Sequence, residues 1–496
     1  MYRHASGQCE FPDFYLPFGG HLNAENRWVK LAKMVLWDEV ERVYSKGFAQ
    51  SAMGAPAKNS RMAFGALIIK ERLGLSDRES VEQIRENPYL QYFLGLHEYR
   101  DEPLFDASTM VYFRSRFDQE QLEAINEKLV EGADAEEDQP ESSQAEAAET
   151  QNTEEPSLKD PGQDQTTEVP LEGKLLIDAT CAPADITYPT DLKLVGEARE
   201  KSQRILDDLY ATIAEAVRVK PRTYRRQARQ RFLAALKTKR LSPAKRRTAI
   251  GAQLRYLRRN IGHIDQLLDQ GADLRALGKY WLKCLWVIRE VYRQQLQMYR
   301  QHSQRIDDRI VSISQPHVRP IIRGKAGKNV EFGAKLSVSC ARNMVFMDRI
   351  DWDNFNESSD LQGQVEAYRR RFGVYPRSVH ADGIYRNRVN REYCRQRGIR
   401  LSGLPLGRRG KDFNQIAEQA RQDELDRIPI EGKFGNAKRK GTLHRVMAKL
   451  PHTSLTLIHL SFIVLNLDTL LRLCRALSQW LYSWLLETTR PAASLT

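Results

Sequence analysis

The stretch LLIDATCAPADITYPTDL, residues 175–192, decides the fold class of this 496-residue chain. Its first three residues are apolar and lead directly into Asp178. A short apolar run of this kind, bounded by polar and turn residues, is typical of a buried strand. The pattern predicts a strand that ends near Asp178 and presents its carboxylate at the edge of a sheet.

More strand-like runs lie downstream, separated from the first by a long helical region. Residues 194–310 show helical periodicity, with apolar side chains recurring on one face. The segment GVYPRSVHADGIY, residues 373–385, predicts a strand that ends just before Asp382. Other strands are predicted at 310–313, 330–338, 344–350 and 399–404. This order predicts an α/β protein, with a mixed sheet that a helical insertion interrupts.

The region before the first strand reads as several short helices. Residues 61–73 predict one helix, and Ser76, three residues before Glu79, is the capping pattern that starts the next. A later helix carries Arg114 and Arg116. Two interpretations stay open: a helix-turn-helix DNA reader, or a small helical bundle whose arginines face solvent.

Charge is distributed very unevenly along the chain. The net charge is +13, yet residues 131–170 hold 13 acidic residues and one basic residue. This acidic segment has few large apolar residues and predicts a disordered linker. Residues 218–260 hold 16 Lys and Arg and no Asp or Glu. Such a surface repels itself, which favours a polyanionic partner and predicts phosphate binding.

Several protein classes are disfavoured. The six cysteines form no C-x-x-C pair, so neither a structural zinc site nor a disulfide framework is expected. The first residues lack the apolar run of a secretory signal, which suits a cytoplasmic protein. The apolar stretch 455–473 approaches the length of a membrane span, but it predicts a buried core helix because it carries His459, Asn466, Asp468 and Arg472.

Three carboxylates are candidates for chemistry: Asp178, Asp382 and Glu431. Carboxylates that converge in a basic cleft can hold two Mg²⁺ ions for phosphodiester displacement. Spacing alone leaves plainer roles open, since Asp382 begins an Asp-Gly turn and Glu431 can pair with Arg427 or Lys433. His380, close to Asp382, is interpreted as a strand-end histidine and not as a metal ligand.

Four segments of the sequence resemble DDE transposases of bacterial insertion sequences, of the IS-five type in the IS-five and IS-four superfamily. Arg427, Glu431 and Lys438 fit the R, E and K spacing of the superfamily signature Y-x2-R-x3-E-x6-K, although Glu424 stands at the Y position. The resemblance also includes residues 55–120 and the basic helical insertion. The segments are LLIDATCAPADITYPTDL, RPIIRGKAGKNVEFGAKLSVS (319–339), VHADGIYRNRVNR (379–391) and IEGKFGNAKRK (430–440).

This resemblance implies an RNase H-like catalytic core in which Asp178, Asp382 and Glu431 bind Mg²⁺, with Mn²⁺ able to substitute. The implied reaction nicks the ends of an insertion sequence at its terminal inverted repeats and joins the 3′-hydroxyl to target DNA. Arg427 and Lys438 would contact phosphates near the scissile bond. Further predicted DNA-binding residues are Lys433, Arg225, Arg226, Arg229, Lys245, Arg246 and Arg247.

The expected partner is double-stranded DNA, both the element ends and the target. Because two ends must be held together, a homo-oligomer on DNA is also expected. Neither a membrane nor a small-molecule substrate is expected, and the implied location is the bacterial cytoplasm, in association with the nucleoid. Two alternatives stay open: a metal-dependent nuclease without strand transfer, and an inactive DNA-binding protein.

The sequence predicts the following division of the chain. A helical N-terminal DNA-binding domain covers 1–128, and the acidic disordered linker covers 129–172. The catalytic core has a first part at 173–200 and a second part at 311–450, with the basic helical insertion between them at 201–310. A C-terminal core helix covers 451–490.

Overall fold

A mixed sheet flanked by many helices forms the centre of the protein, which confirms the predicted α/β class. The structure is a computed structural model that describes residues 15–16, 20–48, 57–137, 170–322, 330–405 and 413–488. Most of the predicted acidic linker lies outside these residues. Its first residues, up to Glu137, belong to a helix that begins at Gln119.

The sheet is antiparallel on one side of its first strand and parallel on the other. The strands are β1 (Lys174–Pro183), β2 (Arg319–Ile322), β3 (Val330–Ala341), β4 (Met344–Asp351), β5 (Ser378–His380) and β6 (Arg400–Leu401). Strand β3 lies antiparallel to β1 on one edge and to β2 and β4 on the other. Strands β1, β5 and β6 are mutually parallel.

Strand β1 is longer than its apolar run suggests. It continues through Thr180 to Pro183, because these residues pair with β3 as far as Gly333. Asp178 therefore lies in the middle of the strand, and the prediction that the strand ends near this residue is wrong. The apolar run marks only the part of β1 where pairing passes from β5 to β3, with Leu176 paired on both edges.

The strand predicted at 310–313 is not formed. Ile310 and Ile313 are buried against the helices of the insertion, so their apolar character reflects burial without strand pairing. Strand β2, just downstream, was not predicted. Its four residues include Pro320, a residue that is unfavourable within a sheet except at an edge, where β2 in fact lies.

Among the described residues, seven helices precede the sheet. Ser76 accepts a hydrogen bond from the Glu79 amide and starts the fourth, as expected. Arg114 does not face solvent, because it donates two hydrogen bonds of 2.8 Å to Asp77 and is buried. This pair joins two helices. The helices are α1 (Arg27–Met34), α2 (Trp37–Ser45), α3 (Ser60–Leu73), α4 (Asp77–Glu86), α5 (Pro88–Phe93), α6 (Thr109–Ser115) and α7 (Gln119–Glu137).

The last helix, α15 (Pro451–Thr488), packs against both the N-terminal helices and the sheet. The fully buried Asn466 makes contacts in both directions. It accepts a hydrogen bond from the Val345 amide on β4, donates one to the Val345 carbonyl, and donates another to Asn126 on α7. The part Pro451–Ala476 is long and apolar enough to span a membrane, but 83% of its most apolar stretch lies inside the protein. This burial agrees with the predicted core helix.

The helical insertion has an apolar core of its own, formed by α8 (Asp191–Thr212), α10 (Pro243–Asp269) and α11 (Gly278–Gln301). Helix α9 (Arg225–Lys237) lies on their surface, with Ala228 as its buried residue. Among the described residues, three α-helices lie between β4 and α15: α12 (Leu361–Phe372), α13 (Arg388–Gln396) and α14 (Phe413–Lys440). Helix α14 continues through Pro429 without a break.

Candidate active site

Two of the predicted carboxylates meet because of the register between β1 and β5. The last parallel pair joins Leu176 to His380. Asp178 and Asp382 each lie two residues beyond this pair, and side chains two apart along extended chain point to the same face. The sheet therefore brings both aspartates to one place, where β5 has ended and left one edge of β1 open.

Helix α14 packs across this place and supplies the third carboxylate. Arg427 lies between all three acids: its guanidinium nitrogens are 3.6 Å from Asp178 Oδ2, 4.0 Å from Asp382 Oδ1 and 3.8 Å from Glu431 Oε1. Asp382 and Glu431 are 65% and 62% exposed, whereas Asp178 is 21% and Arg427 14% exposed. The predicted residues converge around a shielded cation at the mouth of a cleft.

A cavity of about 940 Å³ opens over these residues, and Lys438 also lines it. Burial raises the pKa of Asp178 above its ordinary value, and the neighbouring Glu431 and Asp382 add to the rise. The Ala179 amide, which donates to Asp178 Oδ1 at 2.8 Å, and the Arg427 guanidinium oppose it. The carboxylates thus form a site of concentrated negative charge that favours a cation.

The donor set fits a hard divalent cation. Asp178, Asp382 and Glu431 offer only carboxylate oxygens, which are the ligands that Mg²⁺ prefers, and Mg²⁺ commonly takes few of them and keeps water. One oxygen of Asp382 accepts from the Gly383 amide at 2.6 Å, so this residue caps a short turn as well as facing the cavity. This hydrogen bond fixes the orientation of the Asp382 carboxylate and is compatible with metal binding.

Lys433 does not face this cavity. Its ammonium is buried, donating to the Asn343 carbonyl at 2.8 Å and to Thr469 Oγ1 at 2.5 Å. A buried ammonium with these partners cannot reach a DNA phosphate, so the structure contradicts the predicted DNA contact. Lys433 instead joins α14 to α15 and to the turn between β3 and β4.

The buried Lys433 predicts a pH-dependent stability. Burial lowers the pKa of Lys433 to about 8. The unfolded chain, with an ordinary lysine pKa, then binds more protons above pH 8, so stability rises with pH until the unfolded lysine also loses its proton. Between pH 7 and 9.5 the free energy of unfolding of the wild type should rise by about 2 kcal/mol relative to Lys433→Met.

Urea unfolding of both proteins at several pH values measures this difference. Lys433→Met keeps the length of the side chain and removes the titrating group, so changes at other residues cancel. Parallel pH profiles of the two proteins would contradict the prediction.

A second group of possible metal ligands, which the sequence did not reveal, lies beside the three carboxylates. His380, Asp423 and Asp426 place ligand atoms within 4.8 Å of one another, as a metal site would require. Arg400, however, donates two hydrogen bonds to Asp423 at 2.7 and 2.9 Å, and Lys174 contacts Asp426 at 2.6 Å. Both carboxylates are already neutralised, so we interpret the group as a clamp.

This clamp holds the helix that carries Arg427 and Glu431. Arg400 lies on β6 and Lys174 on β1, so the two ion pairs fix α14 to the sheet one turn before the candidate site. Burial lowers the pKa of His380, which favours the neutral imidazole, although Asp423 opposes the shift. The i, i+3 spacing of Asp423 and Asp426 was visible in the sequence, but their partners lie far away along the chain.

The predicted DNA-binding cations of the insertion lie on α9 and α10. Arg226, Arg229, Lys245 and Arg246 are exposed, as a phosphate-binding surface requires. Two others are engaged by side chains elsewhere in the protein. Arg225 pairs with Asp207 at 2.8 Å, and Arg247 stacks over the Tyr299 ring at 4.1 Å.

Comparisons with known proteins point to one class. Residues 379–468 match the family described as Transposase DDE domain, and residues 17–116 match the family described as Transposase domain (DUF772). The curated protein described as "Uncharacterized protein ORF8 in nfe locus", from Rhizobium meliloti, is 29% identical over 210 residues, 41% of this chain and 87% of that protein. No solved structure matches the chain.

Proposed function

We propose that this chain, whose two transposase domains indicate a transposase of the DDE type, cuts the ends of an insertion sequence and joins them to target DNA. Asp178, Asp382 and Glu431 would hold divalent metal ions, Mg²⁺ in the cell with Mn²⁺ as a substitute. Such ions, when bound, supply nucleophile activation and stabilise the leaving oxygen in phosphodiester displacement. The chain's own residues position the DNA and the ions.

One observation carries this proposal: three carboxylates from β1, from the end of β5 and from α14 surround one guanidinium beneath a large open cavity. Asp382 and Glu431 lie 204 and 253 positions after Asp178 in the sequence. The three acids therefore meet only when the sheet and α14 assemble. Lys438 on the same cavity offers a cation for a phosphate. Phosphate needs such cations, since bare carboxylates repel it.

We further propose that the sheet is an RNase H-like core. The supporting feature is the order of its strands, with antiparallel neighbours of β1 on one side and parallel neighbours on the other. Asp178 lies on β1, and Asp382 follows the end of the adjacent strand β5. The helices before β1 and the basic insertion are proposed to bind DNA, and a homo-oligomer would hold both ends.

A plasmid excision assay tests the function. The DNA that flanks the gene is placed on both sides of a marker, and purified full-length protein is added with Mg²⁺, with Mn²⁺ or with EDTA. We expect metal-dependent cuts at both flanks, followed by joined products in a target plasmid. Cuts without joined products would favour a nuclease, and DNA binding without cuts would favour an inactive binding protein.

The exposed cations of α9 should set the salt dependence of DNA binding. Each phosphate contact contributes about 0.9 to the slope of log K against log salt. The double variant Arg226→Gln, Arg229→Gln should therefore lower this slope by about 2, measured by fluorescence anisotropy on duplex DNA. The matched control is Lys279→Gln, Lys283→Gln on α11, outside the 218–260 segment, which should leave the slope unchanged. Equal slopes for both double variants would contradict the assignment.

A further inference from the structure

Arg427 is bound differently from Arg114 and Arg400, two other arginines of this protein that pair with acids. Arg114 and Arg400 each make two short hydrogen bonds to one aspartate, at 2.7–2.9 Å. This bidentate geometry is the usual one for a guanidinium and a carboxylate. Arg427 approaches three carboxylates, but at 3.6–4.0 Å, beyond the reach of a hydrogen bond.

The guanidinium of Arg427 is therefore held by charge more than by hydrogen bonds. Its Nε is buried and has no hydrogen-bond partner among the described residues. An arginine with unsatisfied donors in a shielded position is costly to keep there, since a lost hydrogen bond to a charged group is expensive. Arg427 is thus stable only while the surrounding acids compensate for it.

The position of Arg427 also conflicts with divalent cations at the same acids. A guanidinium within 4 Å of all three carboxylates occupies the space in which two metal ions would lie ~3.5–4 Å apart. Like charges at such distances repel strongly in a partly shielded site. Arg427 and the ions therefore exclude one another.

We infer that Arg427 is an internal counter-ion that competes with divalent metal for the carboxylates and is released to a DNA phosphate when metal binds. This inference rests on the proposed function. The signature implies that Arg427 contacts a DNA phosphate. The inference gives the same side chain a second position, among the three acids. The site is then weak for metal without DNA, and DNA strengthens it by drawing the guanidinium away.

Metal affinity without DNA tests the inference. Mn²⁺ binding to the full-length protein is measured by electron paramagnetic resonance of the free ion, at low ionic strength. Arg427→Gln should bind Mn²⁺ at least tenfold more tightly than the wild type, and Arg427→Lys, which keeps a cation on a shorter reach, should fall between them. The matched control is Arg421→Gln, an exposed arginine on the same helix, which should bind as the wild type does.

Two sets of variants distinguish a failure of the proposed competition from a failure of the proposed metal site. If Arg427→Gln and Arg427→Lys both bind Mn²⁺ no more tightly than the wild type, while Glu431→Gln loses binding, the competition is wrong and the proposed metal site stands. If Asp178→Asn and Glu431→Gln bind Mn²⁺ as the wild type does, the metal site itself is wrong and the inference falls with it. Arg427→Lys keeps the test valid should Arg427→Gln fail to fold.

Discussion

Replacing Asp178, Asp382 or Glu431 by the corresponding amide is expected to lower metal-dependent cutting of the element ends by ~10³-fold or more. The amide keeps the size of each side chain and removes the charge that would hold a divalent ion. The three acids lie on β1, after β5 and on α14, far apart in sequence, but they converge on one site. Each change should therefore have the same effect on cutting. Initial rates on end-labelled DNA with Mg²⁺ measure it.

The matched control is Glu418→Gln, an exposed acid on α14 that lies outside the cavity. It should cut at the wild-type rate. DNA affinity of all four variants should stay within a few-fold of the wild type, since most of the proposed phosphate contacts lie on the basic insertion. Rates within tenfold of the wild type for all three amide variants would contradict the roles proposed for these acids.

Replacing Asp423 by Ala is expected to destabilise the protein by about 3 kcal/mol and to lower cutting at least tenfold. Asp423 is only 1% exposed, and its loss leaves Arg400 without its bidentate partner. Breaking a buried pair costs about 3–5 kcal/mol, and the lower end applies because the Arg400 side chain is 43% exposed. Helix α14 would then hold Glu431 less firmly.

Urea unfolding and the cutting assay measure the two effects, with Glu418→Ala on the same helix as control.

Together with the number of Mn²⁺ ions bound per chain, the unfolding result also decides between two interpretations of the group that contains His380, Asp423 and Asp426. A clamp predicts that Asp423→Ala loses stability with Mn²⁺ stoichiometry unchanged. Loss of one bound Mn²⁺ per chain, with unfolding as in the wild type, would show that the group is a metal site.

Local signals and a family signature predicted much of this protein. Ser76 marks the start of α4 as a cap, and the spacing of Arg427, Glu431 and Lys438 brings these residues to one face of α14, beside one cavity. The resemblance of the segments around Asp178 and Asp382 also selected these two residues from 64 acidic residues, which periodicity alone does not separate. The convergence of these side chains is found in the structure, and their chemical roles remain proposals.

What the sequence did not reveal depends on distant partners. Arg114 looked like a surface cation until Asp77 was found beside it, and Lys433 looked like a DNA contact although Thr469 and the β3–β4 turn enclose it. The Arg400–Asp423 clamp was invisible for the same reason. Charge and periodicity report what a residue prefers on its own, whereas these pairs exist only after separate segments have folded together.

A crystal structure of the full-length protein with end DNA and Mn²⁺ tests the proposed metal site most directly, through the anomalous scattering of manganese. Two anomalous peaks ~3.5–4 Å apart are expected among Asp178, Asp382 and Glu431, with Arg427 turned toward a phosphate. Peaks at His380, Asp423 and Asp426, with none at the three acids, would contradict the proposed metal site.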